Sequence, residues 1–149
     1  IKPLLDELES DLAHIFLEKN ISFSIDVADS VVIYGSRTLL YSIFRNLVEN
    51  SIAYAGESIQ IVIRCYMETD DAVYFEFYDN GVGVEEKHLV KIFERFYRVN
   101  EGRTRDTGGS GLGLSIVKNA VLLHKGNIVA KNRSEGGLLF LITFPKIKA

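Results

Sequence analysis

The feature of this sequence that most limits its possible folds is an alternation of apolar and polar residues in three stretches, 21–27, 59–65 and 73–77. A period of two is typical of strands that bury one face and expose the other. Asp70 and Asp71 separate the second and third stretches and are residues that favour a hairpin turn. The pattern therefore predicts a largely antiparallel sheet with one buried face.

Segments with helical periodicity supply the layer that covers this face. Ser36 is a good N-cap residue, and it predicts a helix that runs to about Tyr54. Three core helices stacked on one face of a mixed, mostly antiparallel sheet of about five strands give a two-layer α/β sandwich. The other predicted elements are helices at 1–20, 85–94 and about 112–124, a short edge strand at 31–34, strands at 126–132 and 138–144, and a long loop at 95–110.

The composition excludes several classes of protein. The 149 residues suit one domain, and the net charge of −3 argues against a nucleic-acid-binding module. A single cysteine, Cys65, excludes an intramolecular disulfide framework and fits a reducing compartment. No apolar run approaches the roughly 18 residues of a membrane span. Because the chain begins with Ile1 and shows no signal peptide, we expect a cytosolic fragment of a longer protein.

One carboxylate breaks the strand pattern. Asp79 follows Val73, Phe75 and Phe77 in phase, so its side chain is predicted to point to the apolar side of the sheet. A buried carboxylate costs several kcal/mol unless it accepts hydrogen bonds or pairs with a cation. Glycines at 81 and 83 permit a backbone approach that a Cβ would block. A simple turn is the alternative, but the pattern favours a carboxylate that accepts hydrogen bonds from a ligand.

Two further segments carry unusual polar or glycine-rich patterns. Asn46, Asn50 and Tyr54 are spaced four apart and share one helix face, for which solvation alone is a sufficient explanation. The glycine-rich stretch 107–114 runs directly into an apolar helix, as a phosphate cradle does and a flexible linker usually does not. Neither glycine cluster fits a P-loop or a G-x-G-x-x-G fingerprint, which excludes the Rossmann and protein-kinase interpretations.

Taken in order, these segments resemble the motifs of one family. Residues 46–54 are similar to an N box, 79–83 to a first glycine box, 92–98 to an F box, 109–114 to a second glycine box, and 136–140 to a weaker last one. These are the boxes of the nucleotide-binding domain of sensor histidine kinases, in the superfamily of gyrase B, Hsp90 and MutL. The resemblance covers essentially the whole chain and implies a Bergerat-type α/β sandwich that binds ATP and Mg²⁺.

The resemblance implies a role for each matching residue around the base. Asp79 would accept from the exocyclic amine of adenine, and Gly81 and Gly83 belong to the box that lets the backbone approach the base. Tyr54, Val84 and Ile92 would line the adenine.

It also implies roles around the phosphates. Asn50 would give its amide oxygen to Mg²⁺, which prefers oxygen ligands, and Asn46 would contact the phosphates or a metal-bound water. Residues 95–110 would form a lid, in which Arg95 or Arg98 would stabilise the charge of the transferred phosphate. The phosphates themselves would be held by Gly109, Ser110, Gly111, Leu112, Gly113 and Leu114.

The implied reaction is transfer of the ATP γ-phosphate to a histidine, with two alternatives. Superfamily members that hydrolyse ATP have a glutamate base where this chain has Asn46, and Glu49 lies about 100° around the helix from Asn50. This disfavours an ATPase or a serine kinase of the same superfamily. Ala53 stands where the family commonly has lysine, so a degenerate, non-catalytic nucleotide-binding module is the second alternative.

The resemblance finally implies the interaction partners of the protein. His14, His88 and His124 are not followed by an acidic residue, so none matches the family's phosphoacceptor. We expect residues 1–20 to be a tail helix from an absent dimerisation and phosphoacceptor domain, and 21–149 to be the catalytic domain. The implied partners are that domain and a response regulator. The isolated domain would be a monomer, and the full-length protein a homodimeric, membrane-anchored sensor in a two-component system with this domain in the cytoplasm.

Overall fold

The computed structural model describes residues 1–99 and 111–146, which form three α-helices packed on one five-stranded sheet. Two single turns of 3₁₀ helix, Glu86–His88 and Lys91–Phe93, follow the third strand. The helices are α1 (Lys2–Glu18), α2 (Arg37–Tyr54) and α3 (Gly113–Leu123), and the strands are β1 (Ser22–Asp26), β2 (Gln60–Glu68), β3 (Ala72–Asp79), β4 (Asn127–Asn132) and β5 (Leu138–Pro145).

The strand order of the sheet is β1-β2-β3-β5-β4. β1 runs parallel to β2, and all other neighbouring pairs are antiparallel. Ile63 lies opposite Phe77, which in turn lies opposite Phe140, so buried side chains align across the three central strands. The prediction of a mixed, mostly antiparallel sheet in a two-layer sandwich is confirmed.

The core lies between the helices and one face of the sheet. The apolar face predicted for α2 is fully buried at Ile43, Phe44 and Leu47. α1 also contributes, since Leu5 and Leu8 are completely buried. Burial of apolar area on this scale is the main source of stability in a domain of this size. The segments predicted to bind a ligand therefore lie on a scaffold of two packed layers, the helices and the sheet.

Helices α2 and α3 run antiparallel, and His124 links two of their ends. The Ser36 side chain accepts a hydrogen bond from the Leu39 N–H, as predicted for an N-cap. His124, the C-cap residue of α3, accepts from the Ser36 N–H at Nε2 over 3.1 Å. Its Nδ1 lies 2.7 Å from the Ala120 carbonyl, which fixes Nδ1 as the protonated nitrogen. Consequently, the N-terminus of α3 faces the middle of α2.

Two predicted elements were wrong. Residues 85–94 form the two 3₁₀ turns rather than a helix, because Ile92 is the only buried residue there and one buried side chain is too little to stabilise a longer helix. Residues 31–34 form no strand. The Val31 N–H donates to the Ala28 carbonyl, which closes a turn over 28–31, and the Val31 carbonyl accepts from the amino group of Ile1 at the start of α1. Residues 31–34 follow this turn without regular structure.

Candidate functional site

The Asp79 carboxylate lies at the end of β3 and is almost completely buried, with 2% of the residue exposed. Its Oδ2 accepts a hydrogen bond from the Ser51 hydroxyl at 2.8 Å. Its Oδ1 accepts from the Gly81 N–H at 3.0 Å and from the Leu138 N–H at 3.3 Å. The prediction that this side chain points to the apolar side of the sheet is confirmed.

These three donors do not saturate the carboxylate. An ionised carboxylate offers about four acceptor positions, so the hydrogen bonds from described residues leave one position on Asp79 Oδ2. Within residues 1–99 and 111–146, no cation forms an ion pair with this carboxylate. A buried anion held only by neutral donors is well suited to accept a further hydrogen bond from an amino group.

The loop after Asp79 packs tightly against the end of α2. A Cβ on Gly81 would lie 2.4 Å from the Ala55 Cβ, so only glycine permits this approach. The neighbour at this glycine is the protein's own helix, and the approach of this backbone to a base stays a prediction. Gly83 has a φ of 68°, in the left-handed region that favours glycine.

The three residues predicted to line a base differ in exposure. Tyr54 ends α2 and is 44% exposed. Val84 is half-buried and packs against the core cluster, to which the buried Ile92 belongs. The structure therefore places Val84 and Ile92 at the edge of the core on the chain segment that follows Asp79, and it leaves the Tyr54 ring accessible.

The two asparagines of α2 differ in their partners. Asn46 donates its amide to the Ser42 carbonyl at 2.8 Å and to the Ser42 hydroxyl at 3.1 Å. Its Oδ1 faces Gly113, where a Cβ would lie 3.3 Å away. Asn50 is half-buried, and no group in the described ranges hydrogen-bonds to its side chain. The structure thus brings Asn46 together with the second glycine box and leaves the Asn50 amide available.

The N-terminus of α3 has no side-chain cap from its own N-cap residue. Leu112 occupies the N-cap position, where its apolar side chain cannot accept from the first turn of the helix. The Gly111 carbonyl accepts from the Phe96 N–H at 2.8 Å, which ties the start of the predicted lid to the helix. Gly113 begins the helix, and Leu114 is buried. The backbone N–H groups and the dipole of a helix N-terminus favour an anion at this position.

Only part of the predicted lid can be described. The Arg95 guanidinium lies 5.3 Å from the centre of the Phe96 ring. Arg98 is half-buried, and one of its terminal nitrogens is enclosed without a hydrogen-bond partner in the described part of the chain. Gly109, Ser110 and most of the predicted lid lie outside the described residues.

Glu49 points away from this site, as its helix position predicted. Its Oε1 accepts from Arg45 Nε at 2.7 Å, and this hydrogen bond raises the pKa of the Arg45 guanidinium. Both side chains lie on the exposed side of α2. Glu49 is therefore engaged in a surface ion pair and is not directed at the Asn46 and Asn50 face.

Sequence reasoning missed three residues that shape the site. The sequence did contain a signal for Ser51, because this polar residue lies among the apolar residues on the buried face of α2. Asn132 and Arg133 gave no such signal. Asn132 makes two hydrogen bonds to Val84, and Arg133 donates to the Asp79 carbonyl. Their role follows only from the pairing of β3 with β5, which brings the β4–β5 hairpin next to this loop.

The fold and site define a class of protein. Two asparagines of α2 lie near a buried strand-end aspartate and the glycine-rich N-terminus of α3. A two-layer sandwich with these features is typical of a nucleotide-binding ATPase domain. The profile of the histidine kinase-, DNA gyrase B- and HSP90-like ATPase family matches residues 35–148. The chain belongs to this family of ATPase domains.

The similar curated proteins are sensor kinases. The signal transduction histidine-protein kinase BaeS of Escherichia coli strain K12 is 37% identical over 145 residues, which cover 96% of this chain and 30% of BaeS. The phosphate regulon sensor protein PhoR of Pseudomonas aeruginosa is 35% identical over 144 residues, covering 97% of this chain and 32% of PhoR. The chain thus spans about a third of the length of these relatives.

A solved structure has the same architecture. The catalytic domain of the histidine kinase ThkA superposes with a TM-score of 0.83 at 26% identity, over 98% of this chain and 92% of that one. ThkA has also been solved in complex with the response regulator protein TrrA, and that match has a TM-score of 0.79 over 99% of this chain and 40% of that one. In the described ranges, none of the helices is long and apolar enough to cross a membrane.

Proposed function

We propose that this domain binds ATP with Mg²⁺ and transfers the γ-phosphate to a histidine on another domain of its parent protein, for relay to a response regulator. The observation that carries the proposal is the Asp79 carboxylate, which is buried, held by three neutral donors and left with one acceptor position. This position matches the exocyclic amine of adenine. The names of the relatives, among them a histidine-protein kinase, support the choice of reaction.

The residues around α2 fit a magnesium ion. The Asn50 amide oxygen is a hard donor, and its side chain has no hydrogen-bond partner in the described ranges. No group of three or more His, Cys, Asp or Glu side chains that could hold a metal is present there. The ion would therefore be held by Asn50 together with phosphate oxygens and water. When bound, Mg²⁺ neutralises charge on the phosphates.

Three groups of this chain would handle the phosphates. The first-turn N–H groups of α3 would donate to them, and the Asn46 amide would hydrogen-bond to a phosphate or to a metal-bound water. Arg98 carries an enclosed guanidinium nitrogen without a partner among the described residues, which makes it the better candidate for stabilising the transferred charge. Arg95 is the exposed alternative.

The side chains favour transfer over hydrolysis. Asn46 is an amide and cannot take a proton from water at neutral pH. Glu49 is the nearest carboxylate on the same helix, and Arg45 already engages it. Without a positioned general base, a water molecule is a poor nucleophile, whereas an imidazole nitrogen needs no such activation.

The relatives suggest the setting of the domain. BaeS and PhoR are named as a histidine-protein kinase and a sensor protein, and ThkA was solved with a response regulator. By analogy, the parent protein would be a membrane-anchored homodimer with this domain in the cytoplasm. α1 would then connect residues 21–149 to the dimerisation and phosphoacceptor domain.

Phosphotransfer tests this function directly. The domain is incubated with γ-labelled ATP, Mg²⁺ and the histidine-bearing hairpin of the parent protein. We expect label on the hairpin that is lost in acid and retained in alkali, as for phosphohistidine. A hairpin with its histidine replaced by alanine is the control. ATP binding without labelling would instead support a non-catalytic nucleotide-binding module.

A further inference from the structure

The loop between Asp79 and Val84 is tied at both ends to two consecutive residues of the β4–β5 hairpin. At its far end, Asn132 Oδ1 accepts from the Val84 N–H at 3.1 Å, and Asn132 Nδ2 donates to the Val84 carbonyl at 2.5 Å. The Asn132 side chain thus pairs with the N–H and the carbonyl of one residue, as a neighbouring strand does in a sheet. It fixes the backbone of Val84, a residue predicted to line the base.

At the near end, Arg133 holds the backbone of Asp79. One guanidinium nitrogen, Nη1, donates to the Asp79 carbonyl at 3.3 Å and to the Gly136 carbonyl at 3.0 Å. The guanidinium carbon lies 4.1 Å from the centre of the Tyr78 ring, close enough for a cation–π contact. The Arg133 side chain is only 18% exposed, so these contacts are well shielded from water.

The Arg133 end of the hairpin also affects a donor to the Asp79 carboxylate. The backbone N–H of Arg133 donates to the Gly137 carbonyl at 2.9 Å and closes the turn of the hairpin. Leu138 directly follows this turn, and its N–H donates to Asp79 Oδ1. The hairpin therefore holds the Asp79 backbone carbonyl and supplies the Leu138 N–H, which donates to the Asp79 carboxylate. A shift of this hairpin would change the direction in which the remaining acceptor position of Asp79 points.

We propose that Asn132 and Arg133 are positioning residues that preset the 79–84 loop for recognition of the adenine amine. The proposal rests on the nucleotide-binding function argued above. Neither residue needs to touch the nucleotide. Their effect is to remove conformational freedom from the loop before binding, so that the hydrogen bond to the base forms without reorganisation.

The test compares two ligands that differ only in the amine. ADP and the diphosphate of purine riboside, which lacks the 6-amino group, are titrated calorimetrically into the wild-type domain. One hydrogen bond to a carboxylate predicts that ADP binds roughly tenfold to a hundredfold more tightly. The same pair of titrations is made with Arg133→Met, Arg133→Lys and Asn132→Ser. Lys131→Met, which removes an exposed cation from β4, is the matched control.

We expect Arg133→Met and Asn132→Ser to reduce the preference for ADP by about threefold or more. The affinity for the amine-free analogue should stay nearly constant. Arg133→Lys keeps the charge over Tyr78 but loses the planar donor geometry, so an intermediate preference is expected. Lys131→Met should match the wild type. If Arg133→Met lowers the melting temperature too far for titration, Arg133→Lys and Asn132→Ser still give the ratio.

Two outcomes separate failure of this inference from failure of the proposed function. If the wild type binds ADP with the expected preference and folded variants keep it, Asn132 and Arg133 are only structural and the inference is overturned. Equal loss of affinity for both ligands has the same meaning. If the wild type binds neither ligand, or binds both equally, the proposed recognition of adenine itself is wrong.

Discussion

The Ser51 hydroxyl donates to Asp79 Oδ2 at 2.8 Å, which joins the core-facing side of α2 to the end of β3. Both residues are almost completely buried. This bond fixes the position of a carboxylate that would otherwise be a costly buried charge. It also leaves the opposite acceptor position of the same oxygen for a ligand, so one helix serine stabilises the site and orients it.

Replacement of Ser51 by alanine should therefore affect both stability and binding. Ser51→Ala removes one of three donors to a buried carboxylate, and we expect a loss of about 1–3 kcal/mol in the free energy of unfolding. ADP affinity should fall as well, because the freed oxygen is less well oriented. Urea denaturation and calorimetry measure the two effects. Ser22→Ala, on an exposed position of β1, is the control, and a Ser51→Ala domain as stable as this control would contradict the assigned role.

The proposed metal ligand predicts a difference that depends on magnesium. Asn50→Ala removes the amide oxygen that would bind the ion, so the gain in ADP affinity on adding Mg²⁺ should largely disappear. Binding in EDTA should change little, since the base contacts remain. Asn119→Ala, on the exposed face of α3, should retain the full response to Mg²⁺. Equal losses with and without Mg²⁺ would exclude Asn50 as a metal ligand.

The histidine that links α2 and α3 predicts a stability effect. His124→Ala removes the acceptor for the Ser36 N–H and an edge-on ring contact with Phe144. We expect a loss of about 1–3 kcal/mol in the free energy of unfolding, measured by urea denaturation. His14→Ala, exposed on α1, should change stability by less than about 0.5 kcal/mol. Similar small effects for both variants would show that the link contributes nothing.

The single cysteine predicts a shift in reactivity with pH. Burial disfavours the charged thiolate of Cys65 and raises its pKa above the value of an exposed cysteine. Since the thiolate is the nucleophile, the half-maximal rate of iodoacetamide alkylation should occur at a higher pH in the folded domain than in urea. The midpoint is compared because burial slows alkylation at every pH. A folded-state midpoint at or below the unfolded one would contradict the burial effect.

The sequence predicted most of the fold because its patterns are regular. The period of two in β2 and β3 and the capped, amphipathic α2 correspond to elements whose burial depends on local sequence. The predicted helix at 85–94 was wrong because helical periodicity over a short segment does not guarantee a face to bury. The strand at 31–34 was wrong because an apolar run alone cannot indicate whether a pairing edge is available.

In the site as well, residues that stand out in their local sequence were predictable, and residues placed by long-range contacts were not. Asp79 was predictable, since a carboxylate in phase with phenylalanines is anomalous within its own strand. Arg133 was not, because its contact with the Asp79 carbonyl joins residues 54 positions apart and depends on the pairing of β3 with β5. The roles of Asn46 and Asn50 toward a ligand came from the family resemblance, and they stay predictions until binding is measured.

The most direct test of the central claim is calorimetric titration of the wild type and Asp79→Asn with ADP. In the variant, Oδ1 can still accept from Gly81 and Leu138, and the new amide can donate to the rotatable Ser51 hydroxyl. The fold should therefore persist, with an almost unchanged melting temperature. The remaining acceptor is replaced by a donor, so ADP affinity should fall by about a hundredfold, or roughly 2.7 kcal/mol. Unchanged affinity in a normally folded variant would show that Asp79 does not recognise the base.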